Sequence, residues 1–186
     1  MNKYLISFFH RPISNTRPEP VPVSIFDVYR MVATRRYAPE TEALRAITTE
    51  NGQKSFKASH FDFVTPGGVF AMRNDASLIT ASNLVAIDLD HIKDVEGLKK
   101  ALLADSNFDT LLLFRSPRGC GLKWFIDADM QICDYRTWHK GVRNYLMSTY
   151  GLTDKQVDPM VGHVSAACFL CYDPEAYLRT DLYEFF

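Results

Sequence analysis

The sequence predicts an α+β fold, and three observations predict it. After residue 83 the elements run strand, helix, strand, strand, helix, strand, the β-α-β-β-α-β unit of ferredoxin-like and RRM-like sheets. The strand segments there are apolar on both faces, whereas residues 134–149 place Trp138, Val142, Tyr145 and Leu146 at helical spacing. The composition is that of one globular domain: 186 residues, 47% hydrophobic and 23% charged. A chain of this size buries roughly 70% of its unfolded surface and needs no staples.

Taken in order, residues 4–9 (YLISFF) read as a strand, and residues 11–22, with four prolines, as an extended connection. Ser24 caps a predicted helix to about Thr34, with Ile25, Val28, Tyr29 and Val32 on one face. A second helix is predicted from Pro39 to about Thr48. Residues 50–68 are polar and end in the turn Thr65-Pro66-Gly67-Gly68. Residues 83–90 form a predicted strand ending in carboxylates. Residues 94–105 form a helix capped by Asp94, with Val95, Leu98 and Leu102 inward. Strands at 110–115 and 122–127 flank the turn 116–121, and a last strand covers 166–172, closed by Asp173-Pro174. Right-handed crossovers put the four strands in the order 4-1-3-2. The expected organisation is one domain, 1–186. Residues 1–82 form an N-terminal α/β extension packed on a palm-like core, 83–186.

Lys plus Arg number 21 and Asp plus Glu 22, a net charge of −1. This excludes a strongly basic nucleic-acid-coating protein, but not a local basic site. The charge is uneven: residues 1–60 carry a balance of +4 and residues 61–186 one of −5. No apolar run approaches the ~20 residues of a membrane span. The short apolar start reads better as strand than as a leader, so no membrane and a cytoplasmic location are expected. Of four cysteines, Cys168 and Cys171 form a C-x2-C. With no second ligand pair and positions that face opposite sides of a strand, buried thiols are expected and zinc is not.

The chemistry concentrates at one predicted sheet edge. Asp88 and Asp90 lie two apart on a strand, so they share a face, with Cα atoms about 6–7 Å apart. Like charges so placed repel unless a cation lies between them, and a hard divalent ion with oxygen ligands resolves this. The ordinary reading is one helix cap and one exposed acid. The turn Ser116-Pro-Arg-Gly-Cys-Gly-Leu-Lys123 offers a hydroxyl, two glycines and two cations. Gly119 and Gly121 would let backbone N–H groups approach phosphate, Arg118 would bind it bidentately, and Lys123 would act as a point charge. The ordinary reading is a hairpin turn. The topology brings Asp158 to the same edge. His91, following Asp90, is a candidate to orient these ligands.

These stretches resemble the VirE N-terminal domain family of bacterial mobile elements, itself similar to archaeo-eukaryotic primases and primase-polymerases. The likeness is carried by Ile6-Ser7, Lys57, Thr65-Pro66-Gly67-Gly68-Val69-Phe70, Ala86-Ile87-Asp88-Leu89-Asp90-His91, Ser116-Pro-Arg-Gly-Cys-Gly-Leu-Lys123, Cys168-Phe169-Leu170 and Asp173-Pro174. The resemblance implies a palm-like sheet with Asp88, Asp90 and Asp158 as metal ligands, and residues 116–123 at the nucleoside triphosphate. Two positions depart from the pattern. Lys123 stands where the wider superfamily often has His, and Ala166 follows Ser165 where the family tends to have Arg.

Three functions are compatible with these residues. The first is a metal-dependent nucleotidyltransferase of primase or primase-polymerase type, with two Mg2+ or Mn2+ ions. In that reading Ser116, Arg118, Gly119, Gly121 and Lys123 hold the triphosphate, and Arg45, Lys54 and Lys57 track a single-stranded DNA template. The second is a weakened or inactive nucleotide- or nucleic-acid-binding module beside a helicase-type ATPase. The third is a phosphatase of the D-x-D type, which asks for its motif near the start of a doubly wound parallel sheet.

Overall fold

The structure, a computed structural model, describes residues 4–183. It has an α+β architecture with three antiparallel sheets among the described residues. Strand β1 (Leu5–Phe9) leads through the proline-rich connection to β2 (Val23–Ser24) and α1 (Ile25–Ala33). Ser24 caps α1 with a reciprocal bond to Asp27, as the sequence predicts. Helix α2 (Ala38–Ala46) follows. Then comes α3 (Glu50–His60), capped by Thr49, in a stretch read from the sequence only as polar. No residue of α3 is buried, so it has no apolar stripe for periodicity to detect.

Strands β3 (Phe63–Thr65) and β4 (Gly68–Phe70) flank the Thr65–Gly68 turn, and β5 (Leu78–Ala81) pairs with β4 as a two-stranded ribbon. The predicted core follows as β6 (Leu84–Leu89), α4 (Val95–Ala104), β7 (Thr110–Arg115), β8 (Leu122–Asp127) and α5 (Tyr135–Tyr150). Asp94 caps α4, and Gly151, at φ 65°, ends α5 in the left-handed conformation that glycine tolerates. Two short strands remain, β9 (Cys168–Phe169) and β10 (Tyr177–Leu178).

One four-stranded sheet has the order β2-β1-β3-β9 and the other β10-β7-β8-β6. The second reproduces the 1-3-2 part of the predicted order, with β8 antiparallel between β6 and β7. The fourth predicted strand does not return beside β6, so the ferredoxin-like order 4-1-3-2 is not reproduced. It is only two residues long and pairs with β3, matching Phe63 to Phe169 and Val64 to Cys168. β10 instead closes the far edge of β7. The place beside β6 is taken by other groups. Val157 bridges Leu89, and the hydroxyl of Tyr135, on α5, accepts from the Ala86 amide. The D-x-D phosphatase reading asks for a parallel sheet, whereas β6 hydrogen-bonds to an antiparallel neighbour.

The β6-β7-β8 sheet is buried on both faces, which explains its continuous apolar strands. Val85, Ile87 and Leu89 face α4 and α5, with Val95, Leu102, Val142 and Leu146. Leu84, Ala86, Leu112, Phe114 and Phe125 face α1 and the first sheet, with Ile6, Phe8, Val28 and Val64. By alternation Asp88 shares the second face, so it points toward the seam between the two sheets. Among the described residues no helix is long and apolar enough to cross a membrane.

Candidate functional site

The site follows from the register of two strands. Asp88 on β6 lies directly opposite Lys123 on β8. Lys123 Nζ donates to Asp88 Oδ2, and the two side chains are mostly buried. Burial alone would lower the ammonium pKa, but Asp88 outweighs it and holds Lys123 charged, above the ordinary lysine range. Asp88 Oδ1 is buried with no hydrogen-bond partner.

Asp90 is one residue past the strand. Its amide donates to the Gln156 carbonyl at 2.9 Å, extending the Leu89–Val157 bridge. The same pairing delivers Asp158 to this end of β6, the convergence the sequence predicts. Arg118 Nη2 sits 3.1 Å from Asp90 Oδ1. Burial would raise the Asp90 pKa, yet Lys123, Arg118 and Lys57 together hold it below the usual carboxylate range.

A cleft of about 260 Å³ gathers Asp88, Asp90, Asp158, Arg118 and Lys123 with Lys54, Lys57, Gln53 and Phe169. Lys57 lies 5.2 Å from the Phe169 ring centroid, a cation–π distance. Burial and the neighbouring Lys123 lower its pKa despite Asp88 and Asp90. Four cations facing three carboxylates suit a polyanion accompanied by divalent metal.

The other predicted positions are distributed around this cleft. In the 116–121 turn the Gly119 amide donates to the Ser116 carbonyl, and the Ser116 amide to the Gly121 carbonyl. These two amides therefore serve the hairpin. Gly119 has φ +82°, and a Cβ on Gly121 would run into the Leu89 carbonyl oxygen. Both glycines thus shape the turn that presents Arg118. Ser116 is buried, its Oγ without a partner. His91, exposed at φ 55°, does not line the cleft.

The three residues expected to track a template lie in two places. Arg45 holds the turn, its Nε donating to the Pro117 carbonyl at 3.1 Å. Lys54 pairs with Glu50 at 3.0 Å, and Lys54 and Lys57 line the cleft itself. Gln53 and Phe169 were not expected. Gln53 lies on the helix the sequence does not announce, and Phe169 on the strand that changes sheet.

Asp158 caps a 3-10 turn, Pro159–Val161, accepting from the Met160 amide at 2.8 Å. In type, the carboxylate oxygens fit Mg2+ or Mn2+, and the partnerless Asp88 Oδ1 is an atom such a cation would satisfy. Their present spacing is that of two ion pairs. Among the described residues no group of three or more His, Cys, Asp or Glu is gathered to hold a metal. Cys168 and Cys171 are buried thiols, as expected, and burial pushes Cys168 up to about 12.

A family model described as BT4734-like, N-terminal domain, matches residues 55–178, about two thirds of the chain. The chain belongs to that family. Nothing matches among curated proteins or among solved structures.

Proposed function

We propose that this member of the BT4734-like N-terminal domain family is a metal-dependent nucleotidyltransferase of primase or primase-polymerase type. Its substrates are nucleoside triphosphates and a single-stranded DNA template. Its setting is cytoplasmic replication of a mobile genetic element, beside a helicase-type ATPase. The observation that carries the reading is the meeting of Asp88, Asp90 and Asp158 with Lys57, Arg118 and Lys123 in one cleft. The likeness of Asp88-Leu89-Asp90-His91 and of residues 116–123 to the VirE N-terminal domain family supports it.

Arg118 and Lys57 would neutralise the triphosphate, Arg118 through its planar fork. Lys123, held charged by Asp88, is a fixed cation of the cleft before substrate arrives. Asp158, fixed by its cap bond to Met160, needs little reorganisation to present its second oxygen. Bound Mg2+ or Mn2+ would offset the three carboxylates and stabilise charge developing on the transferred phosphate. In the reaction a 3′-hydroxyl gives up its proton to solvent as its oxygen bonds to the α-phosphorus, the bond from that phosphorus to the α–β bridging oxygen breaks, and pyrophosphate leaves with that oxygen.

Primer synthesis by the Asp88→Ala variant tests this reading, with loss of product expected. Product at the wild-type level would remove it. A second reading, a nucleotide- or nucleic-acid-binding module without catalysis, is favoured by Asp88 and Asp90 each being closed by a cation. It predicts triphosphate binding with no product from the wild-type chain under any divalent metal.

A further inference from the structure

A second concavity lies on the far side of the Pro159–Val161 turn. It has a volume of about 510 Å³ and is lined by α5 on one side, by residues 159–163 on the other, and by Asp75. The turn is a shared wall: Asp158 and Val161 line the carboxylate cleft, while Pro159, Met160 and Gly162 line the groove.

The α5 side carries Arg136, Lys140 and Arg143. These positions are four and three apart, so they form one stripe, rising about 10 Å along the helix. Arg143 is tied to Asp154 and to the Val157 carbonyl. Arg136 and Lys140 are exposed and make no ion pair among the described residues. The opposing acid, Asp75, is engaged by Ser165 and His163.

Two further features belong to this groove. His139, only 2% exposed, lines it, and its Nε2 is buried with no hydrogen-bond partner. Gly162 packs against that ring, and a Cβ there would fall 2.9 Å from Nδ1. Burial and Arg143 hold His139 below the ordinary histidine range, so its imidazole is a neutral hydrogen-bonding group. Met160, 77% exposed, sets an apolar side chain on the rim. Spaced cations beside an exposed apolar side chain match the alternation of phosphates and bases along a single strand.

We propose that the groove between α5 and residues 159–163 binds the phosphate backbone of a single-stranded nucleic acid and carries it past the turn to the carboxylate cleft. The inference deepens the nucleotidyl-transfer reading and rests on it for the strand's destination. It adds a strand track on the other side of the turn from Lys54 and Lys57. An acidic protein segment is the other occupant such cations could take. Regularly spaced charges on a flexible chain with apolar faces fit the groove better, because Met160 offers those faces a contact and an acidic segment none.

The test is fluorescence anisotropy of a labelled oligothymidylate with the full chain, without metal, across a salt series. The Arg136→Gln/Lys140→Gln variant should bind about tenfold more weakly, and its log–log salt slope should shrink by about 1.4, at ~0.7 per lost phosphate contact. Lys100→Gln, a charge removed from α4, should leave binding unchanged. The proposal is overturned if the double variant binds as the wild type, if Lys100→Gln weakens binding equally, or if polyglutamate competes as well as unlabelled oligothymidylate. Asp88→Ala separates the two claims. Its primer synthesis reports on the cleft, while the oligothymidylate affinity of the Arg136→Gln/Lys140→Gln variant reports on the groove.

Discussion

Lys123 Nζ donates to Asp88 Oδ2 across the β6–β8 pair, while Oδ1 of the same carboxylate is buried with no partner. The pair is half of an arrangement. One oxygen is satisfied by the protein, and the other is left to whatever the cleft takes in.

Removing the cation should therefore be costly. Lys123→Met removes the cation hydrogen-bonded to Asp88 in a mostly buried pair, and urea unfolding should show a loss of about 3–5 kcal/mol. The double variant Asp88→Asn/Lys123→Met should recover most of it, because the carboxylate left without its cation is gone. Equal losses in the single and double variants would show that the pair is not coupled.

The 116–121 turn should tolerate no side chain at two positions, for different reasons. Gly119→Ala forces a left-handed backbone and should cost about 1–2 kcal/mol. Gly121→Ala drives a methyl into the Leu89 carbonyl and should cost about 1–3 kcal/mol. Thermal unfolding of the two variants measures both.

Arg45 braces that turn through the carbonyls of Pro117 and Ser116. Arg45→Met should loosen the turn with little change in global stability. The expected readout is faster tryptic cleavage after Arg118 in the native protein. An unchanged cleavage rate would mean the brace holds nothing.

Asp105 shows how the helical layer responds to acid. It follows α4 and accepts from the hydroxyls of Tyr145 and Tyr150 and from Asn107. Its burial would raise its pKa, but these donors hold it below the ordinary value. A depressed carboxylate stabilises the fold above its unfolded pKa of about 3.9 and loses that contribution as pH falls through the lower folded value. Asp105→Asn should therefore be less stable than the wild type at neutral pH. The difference should fade below about pH 4 in acid-unfolding curves.

Much of the cleft was legible because β-strand period and turn chemistry are local. Asp88 and Asp90 on one face and Arg118 on a glycine turn follow from residues a few positions apart, whereas Lys123 opposite Asp88, 35 positions away, follows from the expected strand order. Asp158 was placed only through the expected topology. It arrived at the right edge although the strand after it went elsewhere, because the bridge to Leu89 forms before the chain departs. The rest was hidden for physical reasons. Helix α3 has no fully buried residue and only Phe56 packed on the core, so no periodic signal marks Gln53, Lys54 and Lys57 as neighbours of the cleft. Strand β9 has two residues, and its partner is decided by Phe63 and Val64, about a hundred positions earlier. No local pattern encodes that choice.

The crossing of β9 has a consequence for how the molecule can be divided. The N-terminal sheet is completed by a strand from near the C-terminus, and the edge of the β6 sheet is closed by the residue pair just before that crossing. The segment from Val157 to Phe169 thus stitches two layers that the chain order would have kept apart. A cut at residue 82 would leave β3 without β9 and take Gln53, Lys54 and Lys57 away from the carboxylates of the cleft. The two pieces should then recover the cleft only as a complemented pair, in the manner of a split protein whose reassembly is itself the switch.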